Sequence, residues 1–460
     1  MPARMRCWTR RKTHFGGLTM TFRAMKAVLL ACAGVGALIA ATADANAGGF
    51  AVREQSAWGQ GTSYAGVAAG GSLSAMFWNP ATMTQMPGIQ SESVVSLILP
   101  YAANSPTAGS LVGAPGFGGT GNTAETAIVP GSYFSYQINP SLWVGMSVNA
   151  PFGLSVSFPS MWAGRDYAAG ESHLRSYNAT PSVAYRINDW ISVGAGVQIQ
   201  YADASLQRGV SAAGLGEIAT ISGNGWGYGF TAGVTLTPTP TTTIGLGYRS
   251  MIDQKIDGNL MAGGGAITLT SPASTTINLP DTVSFGLRQR ISPQWTLLGT
   301  VEWTNWSRIG TSNVSGPPLP AAALTLPFQY KDGWLFSAGA EYMWDPQWTL
   351  RAGVGFEKSP ITDDVRIPLL PDNDRYWASV GATYKVTNKL SIDAAYSHVF
   401  VKSTPINITA ASGNPWWPTS FGIDYIGTVD SHIDILSVGL KYRWDNPEPP
   451  PPTKSALYHK

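Results

Sequence analysis

Cysteine is absent from nearly all of this chain: Cys7 and Cys32 both fall within the first 47 of 460 residues. A disulfide scaffold, a thiolate metal site and a cysteine nucleophile are thereby excluded from everything that follows. Charge is scarce too. Only 12% of residues are Asp, Glu, Lys or Arg, yet mean hydropathy is zero. Beyond the N-terminus there is no apolar run of the roughly 20 residues that a membrane helix needs. A soluble chain of this length would form two or three domains with well-charged surfaces. A membrane β-barrel reconciles low charge with neutral hydropathy, because its apolar residues alternate with small or polar ones.

The one sustained apolar stretch, Ala27 to Ala41, follows Arg4, Arg6, Arg10, Arg11, Lys12, Arg23 and Lys26 and ends in Ala45-Asn46-Ala47. A basic region, a short apolar core and an Ala-x-Ala site describe a secretory signal cleaved after Ala47. Its removal leaves 22 basic and 26 acidic residues, a net charge of about −4, so nothing basic remains to attract nucleic acid.

From residue 127 onward, alternating segments are joined by tight turns at Asn139-Pro140-Ser141, Asn188-Asp189, Thr237-Pro238-Thr239-Pro240, Ser292-Pro293-Gln294, Asp345-Pro346-Gln347 and Thr387-Asn388-Lys389. Asn, Asp and Pro clusters of this kind are turn chemistry between strands. Six hairpins supply twelve strands; one more near Gln90 to Leu99 and one from Ile433 to Trp444 make fourteen. The expected fold is an all-β membrane protein, a fourteen-stranded antiparallel transmembrane β-barrel over residues 89–444. In the last strand Leu436, Val438, Leu440, Tyr442 and Trp444 share one face, opposite Ser437, Gly439, Lys441 and Arg443. Trp143, Trp190, Trp295 and Trp348 sit just past their turns, where an interfacial aromatic girdle belongs. Residues 48–88, rich in Gly, Ala and Ser, break the strand pattern and are expected to fold as a hatch inside the lumen. Residues 445–460 form a Pro-rich tail beyond Trp444, the aromatic that would end the last strand for the barrel-assembly machinery.

Gly48-Gly49-Phe50-Ala51-Val52-Arg53-Glu54-Gln55-Ser56, then Phe77-Trp78-Asn79-Pro80-Ala81-Thr82-Met83, carry a resemblance to the FadL family of outer-membrane fatty acid and hydrocarbon transporters. Matches continue through Asn149-Ala150-Pro151-Phe152-Gly153-Leu154, Trp162-Ala163-Gly164-Arg165, Leu279-Pro280-Asp281-Thr282-Val283-Ser284 and Pro371-Asp372-Asn373-Asp374-Arg375. The resemblance implies a multi-pass barrel in the outer membrane of a Gram-negative cell, with an Asn-Pro-Ala hatch. It also implies a kinked third strand that opens the wall sideways, here at Asn149, Pro151 and Gly153. Proline lacks the ladder donor and glycine weakens pairing, so a break has a local cause there.

On the same basis Asn79, Pro80 and Ala81 are expected to gate the hatch. Arg165 and Lys331 are the cations for a ligand carboxylate, and Phe152, Leu154 and Trp162 line an apolar groove. The expected ligand is a long-chain fatty acid or another hydrophobic small molecule. The surroundings are outer-membrane lipid and lipopolysaccharide, and a closed single-chain barrel suggests a monomer. Asp363, Asp364, Asp372 and Asp374 lack calcium-loop spacing and read as solvated loop charges. The histidines have no metal spacing, and no Ser/His/Asp arrangement is evident. No enzyme, metal or cofactor is therefore expected. An aromatic or alkane hydrocarbon channel, and a surface adhesin or structural barrel, are the competing readings.

Overall fold

The structure, a computed structural model, describes residues 49–209, 218–264, 267–316 and 325–446. The expected signal segment and all but the first two residues of the tail lie outside them. Fourteen antiparallel strands run β1 (Ile89–Gly109), β2 (Ala127–Asn139), β3 (Leu142–Asn149, resumed at Gly153–Phe158), β4 (Gly170–Arg186), β5 (Ile191–Gly209), β6 (Ile218–Thr239) and β7 (Thr242–Arg249, resumed at Ile252–Gly264). They continue as β8 (Ile267–Leu279, resumed at Thr282–Arg290), β9 (Trp295–Thr304), β10 (Gly333–Met343), β11 (Trp348–Lys358), β12 (Arg375–Lys385), β13 (Leu390–Val401, resumed at Thr404–Ile408) and β14 (Tyr425–Arg443). Each pairs with its successor, and β1 zips onto β14 from Gln90↔Arg443 to Gly109↔Tyr425. Closure of the first strand on the last is what lets strands cross a bilayer.

The alternation holds in space. Leu436, Val438 and Leu440 are exposed on the outside while Ser437 and Ile435 are buried in the lumen. Trp190, Trp295 and Trp348 form the girdle at the short-turn end, each about half exposed. Trp143 does not join them. It is buried, donating from Nε1 to Met86 O at 2.9 Å, with the Arg186 guanidinium 4.8 Å above its ring. Trp295 and Trp348 are the first residues of their strands and Trp190 still belongs to the turn before its strand, whereas Trp143 is the second residue of β3. One residue of register moves a side chain to the opposite face.

Residues 49–85 pack inside the barrel as a short helix (Ala57–Gln60) and 3-10 turns at Val67–Ala69, Leu73–Phe77 and Pro80–Gln85. Ser56 caps the helix, its Oγ accepting from Gly59 N. Asn79 caps the last turn, with Pro80 at the first helical position, where its missing N–H is not needed. The lumen-facing glycines are the seat of this hatch. A Cβ on Gly245 of β7 would fall 1.8 Å from Ala68 O, and one on Gly233 of β6 would fall 2.0 Å from Asn79 Oδ1.

Polar contacts with the wall fix the hatch's orientation. Trp58 Nε1 donates to Glu341 at 3.0 Å, and the guanidinium groups of Arg288 and Arg351, both of which pair with Glu341, lie 5.0 and 5.4 Å from its ring. Arg351 and Lys441 close on Asp393. Glu92 of β1 accepts from Ser72 Oγ and Ser74 N. The wall ion pairs contribute little net stability once desolvation is counted, but they hold in place the Glu341 carboxylate that receives Trp58.

Candidate functional site

The wall is interrupted at β3. Its first half pairs with β2 up to Ser132↔Val148 and with β4 up to Asn149↔Asn178. Its second half resumes against β4 at Gly153↔Arg175 and makes no ladder with β2. Four steps on β3 against three on β4 define a bulge at Ala150, Pro151 and Phe152. On the other side of the gap, Ala127 to Gly131 of β2 pair with β1 alone. The three residues singled out from sequence, Asn149, Pro151 and Gly153, are the residues of this break.

The N-terminal end of the hatch takes up the bonds that β2 does not make. Val52 N donates to Pro151 O at 2.8 Å, and Gly153 N donates to Phe50 O at 2.9 Å. Gln55 Nε2 donates to Ala150 O at 2.9 Å. Asn149 Nδ2 donates to Gln55 Oε1 and to Tyr133 Oη, and Tyr133 in turn donates to Gln55 O. Segment 50–55 is thus a backbone latch across the wall opening. Sequence reasoning missed it, because nothing in the order of residues says which part of a hatch meets which strand.

Asn79, Pro80 and Ala81 lie elsewhere. The Asn79 side chain, fully buried, donates to Ala68 O at 2.8 Å and to Val234 O of β6 at 2.9 Å. It therefore ties the middle of the hatch to the wall away from the kink.

A cavity of about 70 Å³ lies between latch, kink and wall, lined by Val52, Phe77, Trp78, Pro151, Phe152 and Ile252 among others. Ligand pockets run to ~300 Å³ and more, so this space admits a head group and a few carbons. Two cations face it. Arg53 is clamped by Glu302 at 2.5 Å and by Glu357 at 3.1 Å, and those carboxylates hold it in its protonated form despite burial. Arg249, where β7 breaks, donates to Phe77 O at 3.0 Å and to Gln198 Oε1, with its guanidinium 4.1 Å over the Phe77 ring. Next to Arg53 in sequence, Glu54 is buried with both carboxylate oxygens lacking hydrogen bonds among the described residues. Burial pushes its pKa up to about 7.

The other expected ligand residues do not converge. Phe152 lines the cavity and packs against Phe50 and Trp306. Leu154 and Trp162 are buried in the outer cluster. Trp162 stacks on Phe158 at 5.3 Å and donates to Ala168 O, which makes it a core residue of the outer loops. Arg165 is buried beside Gly209 of β5, and Lys331 is exposed. Neither lines the cavities found, of which an outer one of about 80 Å³ between Leu206, Leu260, Leu369 and Trp416 carries Arg208 and Tyr167 instead. The acidic cluster is also different from expectation. Asp372 is not solvated; it is buried, accepting from Gly49 N and Ser359 Oγ and pairing with Arg375. Among the described residues no group of side chains is placed to hold a metal.

A family model described as outer membrane protein transport protein (OMPP1/FadL/TodX) matches residues 37–444. The long-chain fatty acid transport protein of Escherichia coli K12 is 28% identical over 419 residues, covering 78% of this chain and 89% of that protein. Outer membrane protein P1 of Haemophilus influenzae is 26% identical over 459 residues, covering 88% and 97%. Among solved structures, a Pseudomonas aeruginosa FadL homologue superposes with a TM-score of 0.78 at 24% identity, over 86% of this chain and all of that one. The Pseudomonas putida toluene transporter TodX superposes with a TM-score of 0.63 at 15% identity, over 87% and 99%. At these identities the structural likenesses show the fold.

Proposed function

The chain belongs to the OMPP1/FadL/TodX family of outer-membrane transport proteins for hydrophobic compounds, and from that premise we propose that it takes up long-chain fatty acids by hatch rearrangement and lateral release through the break in β3. The carrying observation is the latch: the strand half that leaves the wall open is bonded from inside by Phe50 and Val52. A ligand that displaces segment 50–55 uncovers a sideways route past Ala127 to Gly131. The substrate class follows the Escherichia coli relative, named for long-chain fatty acids, and the arginine-bearing cavity beside the kink. Aromatic hydrocarbons are the second reading, since the toluene transporters share the fold.

Ala51 and Phe152 are bridge partners across the latch, and facing residues of antiparallel strands lie ~4.5–5.5 Å apart at Cα, within disulfide range. With no other cysteine after residue 47, the Ala51→Cys/Phe152→Cys variant gives a clean cross-link. Oxidised, it should lose most oleate uptake into cells, and dithiothreitol should restore uptake to the level of Phe152→Cys alone. Equal uptake in the oxidised and reduced forms would refute the latch. Toluene uptake measured in parallel separates the two substrate readings.

A further inference from the structure

We infer that the cavity beside the β3 kink is a carboxylate site, in which Arg249 receives the head group of an amphiphile on its way into the membrane; this rests on the fatty acid reading above. Four features lead there. First, Arg249 makes no ion pair among the described residues, in contrast to Arg53, Arg288, Arg351 and Arg375, each matched by acidic partners. Its hydrogen bonds to Phe77 O and Gln198 Oε1 use two of five guanidinium donors. A guanidinium with donors to spare matches the geometry of a carboxylate.

Second, the surroundings suit one negative charge and no more. Phe77, Trp78, Phe152, Ile252 and Pro280 make the walls apolar, while Glu302 lines the same cavity. Glu302 is already engaged by Arg53 and by Ser284 Oγ. A dianionic head group such as a phosphate monoester would add a second charge facing this carboxylate.

Third, the volume of about 70 Å³ is too small for a whole acyl chain. Pro151 and Phe152, however, belong both to the cavity lining and to the bulge that opens the wall. A head group held at Arg249 therefore leaves its chain pointed at the gap, and the chain enters the bilayer without meeting water.

Fourth, Arg249 and Gln198 come from β7 and β5, opposite the latch residues Ala51 and Val52 that close the same space. A carboxylate settling there must share the cavity with the latch, so binding and unlatching are coupled sterically. Neutral hydrocarbons would occupy the cavity without using the arginine.

The test is photolabelling of the purified full-length barrel with a stearate bearing a diazirine near its carboxyl group, and with the corresponding alcohol. Labelled peptides are read by mass spectrometry. In the wild type the acid should label the peptides containing Phe77-Trp78 and Ile252. Arg249→Gln should cut acid labelling there at least tenfold, leave alcohol labelling of the same peptides within twofold, and leave labelling elsewhere in place. Arg249→Lys should restore part of the acid signal, and heat-modifiable migration shows that each variant is folded. Acid labelling that persists in Arg249→Gln, or that falls together with the alcohol, overturns the proposal. So does a wild type labelled only outside this cavity, although fatty acid transport then stands. A wild type labelled nowhere by the acid removes the fatty acid reading and this site with it.

Discussion

Substituting Gly245 with alanine should unseat the hatch without harming the wall. The added Cβ would lie 1.8 Å from Ala68 O and 2.7 Å from Ala69 N. Ordinary contact needs roughly 3.5 Å, so one partner must retreat by more than an ångström. The strand cannot, since Gly245 sits between ladders to Thr235 on β6 and Gly286 on β8. The yielding partner is the Val67–Ala69 turn, which is held by Asn79 Nδ2 to Ala68 O and by Gln85 Nε2 to Ala69 O. Overpacking costs about 1–3 kcal/mol, and a buried carbonyl stripped of its donor costs about 1–3 more, all charged to the hatch. The strand itself gains slightly, because alanine is less flexible than glycine by about 0.5–1 kcal/mol. Heat-modifiable migration should therefore be unchanged while single-channel conductance in planar bilayers rises well above the wild-type level. Gly299→Ala is the control: a Cβ there meets only Ser337 O, at 4.0 Å, and conductance should stay at the wild-type level. If Gly245→Ala were as tight as that control, the glycine-seat argument would be wrong.

Two further perturbations address the hatch. Asn79→Ala removes the cap on Ala81 N and the donors to Ala68 O and Val234 O, about 2–4 kcal/mol together; oleate uptake should fall while the barrel still migrates as folded, and unchanged uptake would count against gating through this residue. Glu54, with a pKa near 7 in place of 4.5 because of burial, binds its proton more tightly folded than unfolded. Its favourable contribution is therefore complete below about 4.5 and is lost as pH rises through 7, a swing of about 3 kcal/mol. Protease resistance of the hatch should decline over that window, and Glu54→Gln should flatten the profile.

The strand count was legible because turn chemistry is local: Asn139-Pro140-Ser141 and its five counterparts report hairpins whatever surrounds them. The break in β3 was legible for the same reason, since Pro151 and Gly153 weaken a ladder by their own backbone chemistry. What alternation could not supply is depth and partner. Only the fold shows that hatch atoms fill the space left by Gly233 and Gly245. Trp143 shows how one residue of register defeats a positional argument. Nor does alternation choose partners for lumen charges: Glu341 takes Arg351 and Asp393 takes Lys441, but Glu302 takes Arg53 from the hatch, and Arg443 turns to Asp445 at 2.8 Å. Arg249 sits in no motif, and only the fold brings Phe77 and Phe152 to the same cavity.

The arrangement of hatch and wall bears on why release should be sideways. The helix at 57–60 packs on β12, β13 and β14, the Val67–Ala69 turn on β7 and β8, and the Pro80–Gln85 turn on β3, β4, β5 and β6. An axial path must break these contacts around most of the circumference, together with the hydrogen bonds of Trp58 to Glu341 and of Ser72 and Ser74 to Glu92. It would also deliver an acyl chain into water, at a cost of about 0.8 kcal/mol per methylene, or roughly 10 kcal/mol and more for a long chain. The lateral path breaks the two backbone bonds of Phe50 and Val52 and the Gln55–Asn149–Tyr133 cluster, and it moves Arg53 against its pairs with Glu302 and Glu357, but it keeps the chain out of water throughout. The axial route breaks contacts around more of the wall and wets the acyl chain, so the disulfide across Ala51 and Phe152 should stop uptake even though it leaves the rest of the hatch free.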